Sequence, residues 1–412
     1  MAFFSAASKA DFQQQLQTAL AQHVDPKILP QLSLFAEQFF GIVALPELTE
    51  RRMSDLVGST LASWRLLERF DPAKPEVQVF NPDFEKHGWQ STHSVVEVLH
   101  PDMPFLVDSV RMELTRRGYS IHTLQTSVLQ VRRGADGSLL ELLPKDERAA
   151  DSHAESLIFV EIDRCASPTA LRELEQSLLG VLADVRQVVG DFAAMKGKAV
   201  ELQGRLEQVN LSIDGDELDE IRDFMRWLAD DHFTFLGYEE FSVQEQADGG
   251  RIVYDESSLL GLSRSMRTGL SEEEQSLTGQ SVSYLREPLL LSFAKAAMPS
   301  RVHRPAYPDF VSVREFDDEG RVVRECRFLG LFTSSVYTQS VRRIPFIRRK
   351  VETVVQRANF GSSAHLAKEL VQVLEVLPRD ELFQAPIDEL FENTIAIVQI
   401  QERNRLRLFL RF

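Results

Sequence analysis

The sequence predicts an α+β fold in which helices cover one face of antiparallel sheets. Apolar residues recur at helical spacing up to about residue 70 and alternate from Val77 onward. The chain then has the pattern of strand, helix, strand, strand, strand and helix, and the tripeptide 135–137, Ala-Asp-Gly, predicts a hairpin turn. Hairpins join antiparallel strands, so this order favours an antiparallel sheet.

Residues 1–74 are predicted to form a helical cap over the next domain. Three runs carry apolar residues at helical spacing, 11–21, 28–40 and 47–70. Prolines separate these runs, and proline ends or punctuates helices.

Residues 75–195 are predicted to form the first α+β domain, followed by a helical linker over 196–209. Alternating or short apolar runs predict its strands, and helical spacing predicts its helices. The predicted strands are Val77–Phe80, Ser94–Leu99, Tyr119–Arg132, Ser138–Leu143 and Leu157–Ile162, and the predicted helices are Pro104–Arg117 and Ser167–Val189.

Residues 210–400 are predicted to form a second α+β module with a helical C-terminal part. It opens with a helix over 213–230, for which Asp216 is a plausible N-cap. The predicted strands are Phe233–Tyr238, Glu240–Val243, Arg251–Tyr254, Leu289–Ala294, Phe310–Phe316 and Val322–Phe332. The predicted helices are Ile344–Arg357, with Pro345 in its first turn, Ser363–Leu377 and Pro386–Gln401.

Residues 401–412 end in an alternating run, Arg405–Phe412, that is typical of a strand. We expect this run to be the first strand of a further, truncated domain. The alternative interpretation is a final edge strand of the second module.

The composition excludes several classes of protein. A net charge of −16 and a pI of about 5.1 disfavour nucleic acid as a partner and a permanently membrane-bound surface. The two cysteines, Cys165 and Cys326, form no C-x-x-C pair, so neither a disulfide framework nor a zinc knuckle is predicted. The chain has no signal-peptide pattern and no run of about 18 apolar residues. The cytoplasm is therefore the predicted compartment.

Nucleotide-binding and hydrolytic motifs are absent from the chain. There is no G-x-G-x-x-G, no G-x-x-x-x-G-K-[ST], no H-E-x-x-H and no G-x-S-x-G. We therefore predict no catalytic residue and no cofactor site in this chain.

Three polar clusters have both a functional and a simpler interpretation. The acidic run from Asp214 to Asp219 resembles a cation loop, but no glutamate closes it at the twelfth position, so a solvated helix start is preferred. His93 and His100 flank one strand and fall on opposite faces of it, so joint metal ligation is disfavoured. Residues 230–232, Asp-Asp-His, allow an acid–base role but fit a capped turn better. No metal site is predicted.

One basic cluster stands out in this acidic chain. It is either a charged helix face or a docking site for an anion or another domain, because arginine guanidinium groups pair well with carboxylates. The cluster consists of Arg342, Arg343, Arg348, Arg349 and Lys350.

The segment from Val95 to Ile121 resembles the opening of an ACT domain, which has a ferredoxin-like fold. That family has a strand, the motif D-x-P-G-x-L, a helix, and a second strand after a glycine. Asp102, Pro104 and Leu106 match this motif, whereas Phe105 stands where the family usually has glycine. The resemblance implies a loop whose helix N-terminal amides suit the carboxylate of an amino acid.

The resemblance extends to the N-terminal region of the large bacterial NAD-dependent glutamate dehydrogenases. It is carried by five segments in the expected order, 55–66, 77–98, 104–114, 224–241 and 344–352, with the sequences DLVGSTLASWRL, VQVFNPDFEKHGWQSTHSVVEV, PFLVDSVRMEL, FMRWLADDHFTFLGYEEF and IPFIRRKVE. In that family the nucleotide-binding domain and the catalytic residues come later in the chain, so no position here corresponds to them.

The resemblance implies a whole protein that oxidises L-glutamate to 2-oxoglutarate and ammonium while reducing NAD. This chain would then supply regulation or assembly of a homo-oligomer, together with the catalytic remainder of the same chain. The hypothesis places an amino-acid effector on the loop from His100 to Ser109, with candidate residues Asp102, Met103, Phe105, Leu106, Val107 and Asp108. The alternatives are a purely structural scaffold and a stand-alone amino-acid sensor.

Overall fold

Two antiparallel sheets organise the chain, one in each of two units. The computed structural model describes residues 4–206, 215–246, 249–267, 276–277, 289–317, 319–358 and 364–402. Unit 1 comprises Met1–Arg186 together with Arg301–Pro305, and unit 2 comprises Gln187–Ser300 and Ala306–Phe412. The predicted α+β class is confirmed.

Four helices precede the sheet of unit 1, where the sequence predicts three helical runs. They are α1 (Lys9–Leu20), α2 (Leu29–Phe39), α3 (Leu45–Thr49) and α4 (Met53–Glu68). Their apolar faces share one core with the sheet, and the rings of Phe39 and Phe159 meet edge to face at 5.6 Å. The helices therefore pack on a face of the sheet in unit 1.

The sheet of unit 1 has five strands in the order β1-β2-β5-β3-β4. The strands are β1 (Glu76–Phe80), β2 (Ser94–Pro101), β3 (Ile121–Arg133), β4 (Leu139–Leu143) and β5 (His153–Ile162), with helices α5 (Phe84–His87) and α6 (Leu106–Arg116) between them. From β2 onward the chain follows the strand, helix, strand, strand, helix order of a ferredoxin-like module, with the β4 hairpin inserted. Strand β2 lies between β1, which precedes it in the chain, and β5.

Helix α7 (Pro168–Arg205) is longer than predicted. The sequence suggested a helix ending near residue 189 and a second helix or linker after it, but the helix is continuous. No proline interrupts this stretch, and a continuous apolar stripe is buried along it, including Leu178, Met195 and Leu202. Burial of the stripe outweighs the cost of about 1 kcal/mol for each glycine in the helix.

The sheet of unit 2 has the order β10-β11-β12-β6-β7-β9, and β8 pairs with β6. The strands are β6 (Phe233–Gln246), β7 (Gly249–Tyr254), β8 (Leu260–Gly261), β9 (Ser276–Leu277), β10 (Leu291–Lys295), β11 (Asp309–Phe316) and β12 (Val322–Phe332). The prediction of two separate strands over 233–243 is wrong, because β6 pairs continuously with β12 from Phe233 to Ser242 apart from one bulge.

The helices described in unit 2 are α8 (Gly215–Trp227), α9 (Leu262–Arg267), α10 (Ser334–Thr338), α11 (Ile347–Ala358), α12 (Ala364–Val376), α13 (Arg379–Gln384) and α14 (Ile387–Glu402). Asp216 lies inside the first turn of α8, so its prediction as the N-cap is wrong. Pro345 precedes α11 rather than lying in its first turn, because Phe346 adopts a left-handed conformation with φ of 67°. Ser363 and the predicted strand 405–412 lie outside the described residues.

An aromatic cluster forms the centre of the core of unit 2. The rings of Phe332 and Phe383 stack at 4.6 Å, and Phe224 meets Phe293 edge to face at 5.5 Å. This cluster joins the sheet to the helices that follow it. Among the described helices, none is both long and apolar enough to cross a membrane.

Candidate functional site

The loop from His100 to Ser109 connects β2 to α6 in unit 1, as the sequence predicts. The backbone N–H of Asp102 donates to the carbonyl of Ala154 at 2.9 Å, and the Asp102 carboxylate accepts from the Ser156 hydroxyl at 2.6 Å. Asp102 is therefore held against β5, with one carboxylate oxygen already engaged.

Phe105 has a left-handed backbone conformation, with φ of 74°, immediately before α6. Glycine adopts this conformation without steric cost, whereas other residues lose about 1–2 kcal/mol in it. The loop therefore has a backbone geometry that suits glycine, the residue that the ACT family usually has at this position.

The other predicted effector residues differ in their exposure. Leu106 belongs to the core at 2% exposure, whereas Met103 and Val107 are half-buried. Asp108 is exposed and lies 3.7 Å from the guanidinium of Arg111. The structure thus gathers the six residues at one helix start, but Leu106 offers a ligand only its backbone.

A short segment of unit 1, Arg301–Pro305, lies along α6 next to the loop. The rings of His303 and Phe105 are 4.8 Å apart, and the His303 N–H donates to the Ser109 hydroxyl at 3.4 Å. Arg301 approaches the Glu113 carboxylate at 3.8 Å. Positions 105, 109 and 113 share one face of α6, so the chain itself covers the helix face that begins at the loop.

The sequence does not predict this covering segment, because Ser109 and His303 are 194 positions apart. The pattern around 301–305 carries no periodicity that points to α6. The left-handed conformation of His303, with φ of 74°, is likewise invisible in the sequence.

Glu113 is the electrostatic centre of this helix face. Burial alone would raise the pKa of its carboxyl, but hydrogen bonds from Arg116, Ser177 and Arg117 lower it to about 2. The two arginines bind it at 2.7–2.8 Å. Glu113 is therefore ionised and fixed, which suits it to anchor the covering segment through Arg301.

The predicted basic cluster does not form one surface. Arg342 and Arg343 are exposed, whereas Arg348 pairs with Glu220 and Asp223, each at 2.7 Å. Arg349 is half-buried.

Lys350 is 8% exposed, and its ammonium donates to the carbonyls of Leu382, Phe383 and Ala385 at 2.8–3.0 Å. Burial lowers the pKa of Lys350 to about 8. The Lys350 ammonium therefore binds the carbonyls at the end of α13 rather than an external partner.

The cluster at 230–232 forms a turn between α8 and β6. His232 stacks on Trp227 at 4.4 Å, and its Nδ1 lies 2.9 Å from the Trp227 carbonyl. Asp231 has φ of 57°. The turn interpretation fits this geometry. Within the described ranges, no group of three or more histidine, cysteine or acidic side chains is arranged to hold a metal ion.

The described sheets differ from those of a Rossmann-type dinucleotide site. A dinucleotide site needs parallel strands whose ends meet a glycine-rich helix start. Both described sheets are antiparallel, and Phe105 rather than glycine precedes α6.

Comparison with known proteins identifies the family. The model of the glutamate dehydrogenase ACT1 domain matches residues 35–178, and the model of glutamate dehydrogenase helical motif 1 matches residues 344–403. These matches agree with the resemblance read from the sequence.

Three relatives are named NAD-specific glutamate dehydrogenase. The one from Pseudomonas aeruginosa is 66% identical over 411 residues, which is 100% of this chain and 25% of the relative. The one from Halomonas elongata is 43% identical, covering 98% of this chain and 25% of the relative. The one from Mycobacterium tuberculosis is 33% identical, covering 74% and 18%. The chain spans about a quarter of the length of the first two. The chain therefore belongs to the family of NAD-specific glutamate dehydrogenases, of which it represents an N-terminal, ACT-containing region.

Proposed function

We propose that this chain is the regulatory and assembly region of an enzyme that oxidises L-glutamate to 2-oxoglutarate and ammonium with NAD. The observation that carries the proposal is the match of the whole chain to a quarter of the Pseudomonas relative. The described residues lack the features of a dinucleotide site, so catalysis and NAD binding would belong to the remainder of the protein. The cytoplasm and a homo-oligomeric state are parts of the same proposal.

The regulatory part of the proposal is a small amino acid bound at the loop from His100 to Ser109. Backbone N–H groups of residues 105–107 would meet its carboxylate, since they lie at the N-terminus of α6. Asp102 or Asp108 would meet its ammonium. A ligand that binds one arrangement of the protein more tightly than another shifts the population towards it, which is how the loop would act on the catalytic part.

The competing proposal is a scaffold that binds no ligand. The contact between the His303 and Phe105 rings favours it, because this contact fills space beside the loop. A stand-alone sensor is a third proposal, and the greater length of the relatives weighs against it.

A thermal-shift screen of Asp102→Ala against the twenty amino acids separates these proposals. The loop hypothesis expects one or a few amino acids to stabilise the unmodified chain and to lose that effect in Asp102→Ala. Asp146→Ala is the matched control, because Asp146 is an exposed acid outside the loop. An unchanged response in Asp102→Ala would exclude this loop as the site.

A further inference from the structure

An open cleft of about 600 Å³ lies along α6 and α7 in unit 1. Three arginines from three elements line it. Arg117 directly follows α6, Arg172 lies in the second turn of α7, and Arg301 belongs to the covering segment. The hydroxyl and amide groups in the lining come from Thr169, Gln176 and Ser177. None of the lining residues belongs to the loop from His100 to Ser109.

Arg117 is held in place by the buried carboxylate of Glu113. Its Nε donates to that carboxylate at 2.8 Å, and Arg116 donates to both oxygens of the same group at 2.7–2.8 Å. This bond uses one of the five N–H groups of the Arg117 guanidinium, so the others remain for a ligand. The position of Arg117 is therefore fixed before any ligand arrives.

Arg172 and Arg301 carry guanidinium groups that are poorly satisfied by the protein. Within the described ranges, neither side chain donates a hydrogen bond to a protein acceptor. Arg172 is exposed, and Arg301 approaches Glu113 and Asp184 only to 3.8 Å. At that distance a carboxylate attracts the guanidinium but does not form a hydrogen bond with it. Both groups can therefore donate fully to a ligand.

The charge of the cleft is opposite to that of the chain. The chain has a net charge of −16, whereas the lining has three arginines and one acid, Glu173. The acids near Arg301 lie beneath it, since the side chain of Arg301 is 41% exposed and those of Glu113 and Asp184 are 1% and 17% exposed. A ligand entering from solvent meets the guanidinium groups first. This arrangement favours an anion.

Three converging arginines suit a phosphate group better than a carboxylate. A guanidinium binds either group through two parallel hydrogen bonds. A carboxylate has two oxygens in one plane, whereas a phosphate monoester has three oxygens in different directions and a charge of about −1.5 to −2 at pH 7. The cleft also exceeds the size of a phosphate ion and falls in the range of small-molecule sites, so it has room for the organic part of an ester.

We propose that this cleft binds a small phosphorylated metabolite. Arg117, Arg172 and Arg301 bind the phosphate group, and Glu173 accepts a hydrogen bond from a hydroxyl of the organic part. The inference goes beyond the proposed function, because the ligand needs no amino group and the site shares no residue with the loop from His100 to Ser109.

Calorimetric titration of the 412-residue chain with inorganic phosphate, ribose 5-phosphate, ribose and succinate at constant ionic strength tests the ligand class. Both phosphates should bind, the ester more tightly, and ribose should not. Succinate should bind at least about tenfold more weakly than ribose 5-phosphate, a difference of about 1.4 kcal/mol. Equal binding of succinate would overturn the phosphate assignment, and binding of inorganic phosphate alone would reduce the site to an adventitious ion only. No binding of either phosphate would overturn the site.

Arg172→Ala tests whether the binding takes place in this cleft. Arg172 is exposed and makes no hydrogen bond within the part of the chain that the structure describes, so its removal should leave the fold intact. Binding of ribose 5-phosphate should weaken at least about tenfold, or about 1.4 kcal/mol. Arg65→Ala removes an exposed arginine from α4, outside the cleft, and should leave binding unchanged. Equal affinities of the two variants would place the binding elsewhere.

Gly180→Glu tests the same site without removing an arginine. Gly180 lines the cleft from α7, and a Cβ at this position would meet nothing within 4 Å, so the helix accepts a side chain there. The new carboxylate would compete for the arginines and should abolish binding. Gly190→Glu is the matched control, because Gly190 is equally open on the same helix and lies outside the cleft. Binding that survives Gly180→Glu, or that is lost equally in Gly190→Glu, would overturn the proposal.

Discussion

Phe105 and Phe346 show how a single backbone conformation shapes each unit. Each follows a proline, each has a positive φ, 74° and 67°, and each directly precedes a helix. The left-handed conformation of Phe105 gives its loop the backbone geometry that glycine usually provides. The second delays the start of α11 beyond the position that Pro345 suggests. Propensity alone misplaces such helix starts, because proline usually marks the first turn.

Replacing Phe105 by glycine and by alanine measures the cost of this conformation. Both changes remove the ring contact with His303, so their difference reports the backbone. Phe105→Gly should be more stable than Phe105→Ala by about 1 kcal/mol. Urea unfolding of both variants provides the measurement.

The control pair is Val107→Gly and Val107→Ala, in the first turn of α6. There the order should reverse, with alanine more stable by up to about 1 kcal/mol. The same order at positions 105 and 107 would contradict a left-handed Phe105.

Glu97 makes the stability of unit 1 depend on pH. Burial raises the pKa of its carboxyl to about 7, although the Ser63 hydroxyl, 2.5 Å away, lowers it. The folded state therefore holds a proton that the unfolded state has released above about pH 4.5. The contribution of Glu97 is fully present below that pH and is lost as the pH rises to about 7.

Glu97→Gln should remove this dependence. At pH 8 the variant should be more stable than the unmodified chain, by on the order of 2 kcal/mol, and at pH 5 the two should differ far less. Chemical unfolding at both pH values gives the comparison. If the difference in unfolding free energy between the two proteins were the same at pH 5 and pH 8, Glu97 would be ionised in the folded state.

At the scale of elements, α2 closes the outer edge of the sheet in unit 1. The Gln31 amide accepts from the Leu142 N–H at 2.6 Å and donates to the Leu142 carbonyl at 3.3 Å. Gln38 donates to the Leu143 carbonyl at 2.9 Å. The unpaired backbone groups of an edge strand can pair with a strand of another chain. These glutamines occupy such groups on β4 and so block that pairing.

Gln31→Leu should leave both Leu142 backbone groups without partners. We expect a loss of about 1–3 kcal/mol of unfolding free energy, and self-association that increases with concentration. Gln14→Leu on the exposed side of α1 is the control and should stay within about 0.5 kcal/mol. Thermal unfolding and light scattering measure the two effects, and equal behaviour of the two variants would contradict the role of Gln31.

The Lys350 ammonium stabilises the C-terminal end of α13 through its hydrogen bonds to backbone carbonyls. Lys350→Met should cost about 2–3 kcal/mol, because three backbone carbonyls lose a charged donor. Lys368→Met, at an exposed position of α12, should change stability by less than about 0.5 kcal/mol. Denaturant unfolding of both variants gives the comparison. If Lys350→Met left the free energy of unfolding unchanged, the buried ammonium would contribute nothing to stability.

Periodicity predicted most described strands to within a few residues, since alternation reports which face of a strand is buried. It identified β12 at its bounds, Val322–Phe332. It could not predict the continuous α7, whose length follows from burial along the helix. It also could not predict the contact of His303 with Phe105, because the two residues lie far apart in the chain.

At the scale of the whole molecule, the chain matches an ACT1 domain and a helical motif of the glutamate dehydrogenases, and both of its described sheets are antiparallel. We propose that the chain senses or transmits a signal and that the remainder of the protein carries out the redox step. The candidate amino-acid site, the loop from His100 to Ser109, lies within unit 1.

The most direct test is the thermal stability of this chain with NAD and with each of the twenty amino acids. We expect one or a few amino acids to stabilise the fold, by about 2.7 kcal/mol at one hundred times their dissociation constant, and NAD to have no effect. Stabilisation by NAD would reveal a nucleotide site in this chain and would contradict the proposal that the redox step belongs to the remainder of the protein. No response to any amino acid would contradict the regulatory role and leave the scaffold proposal.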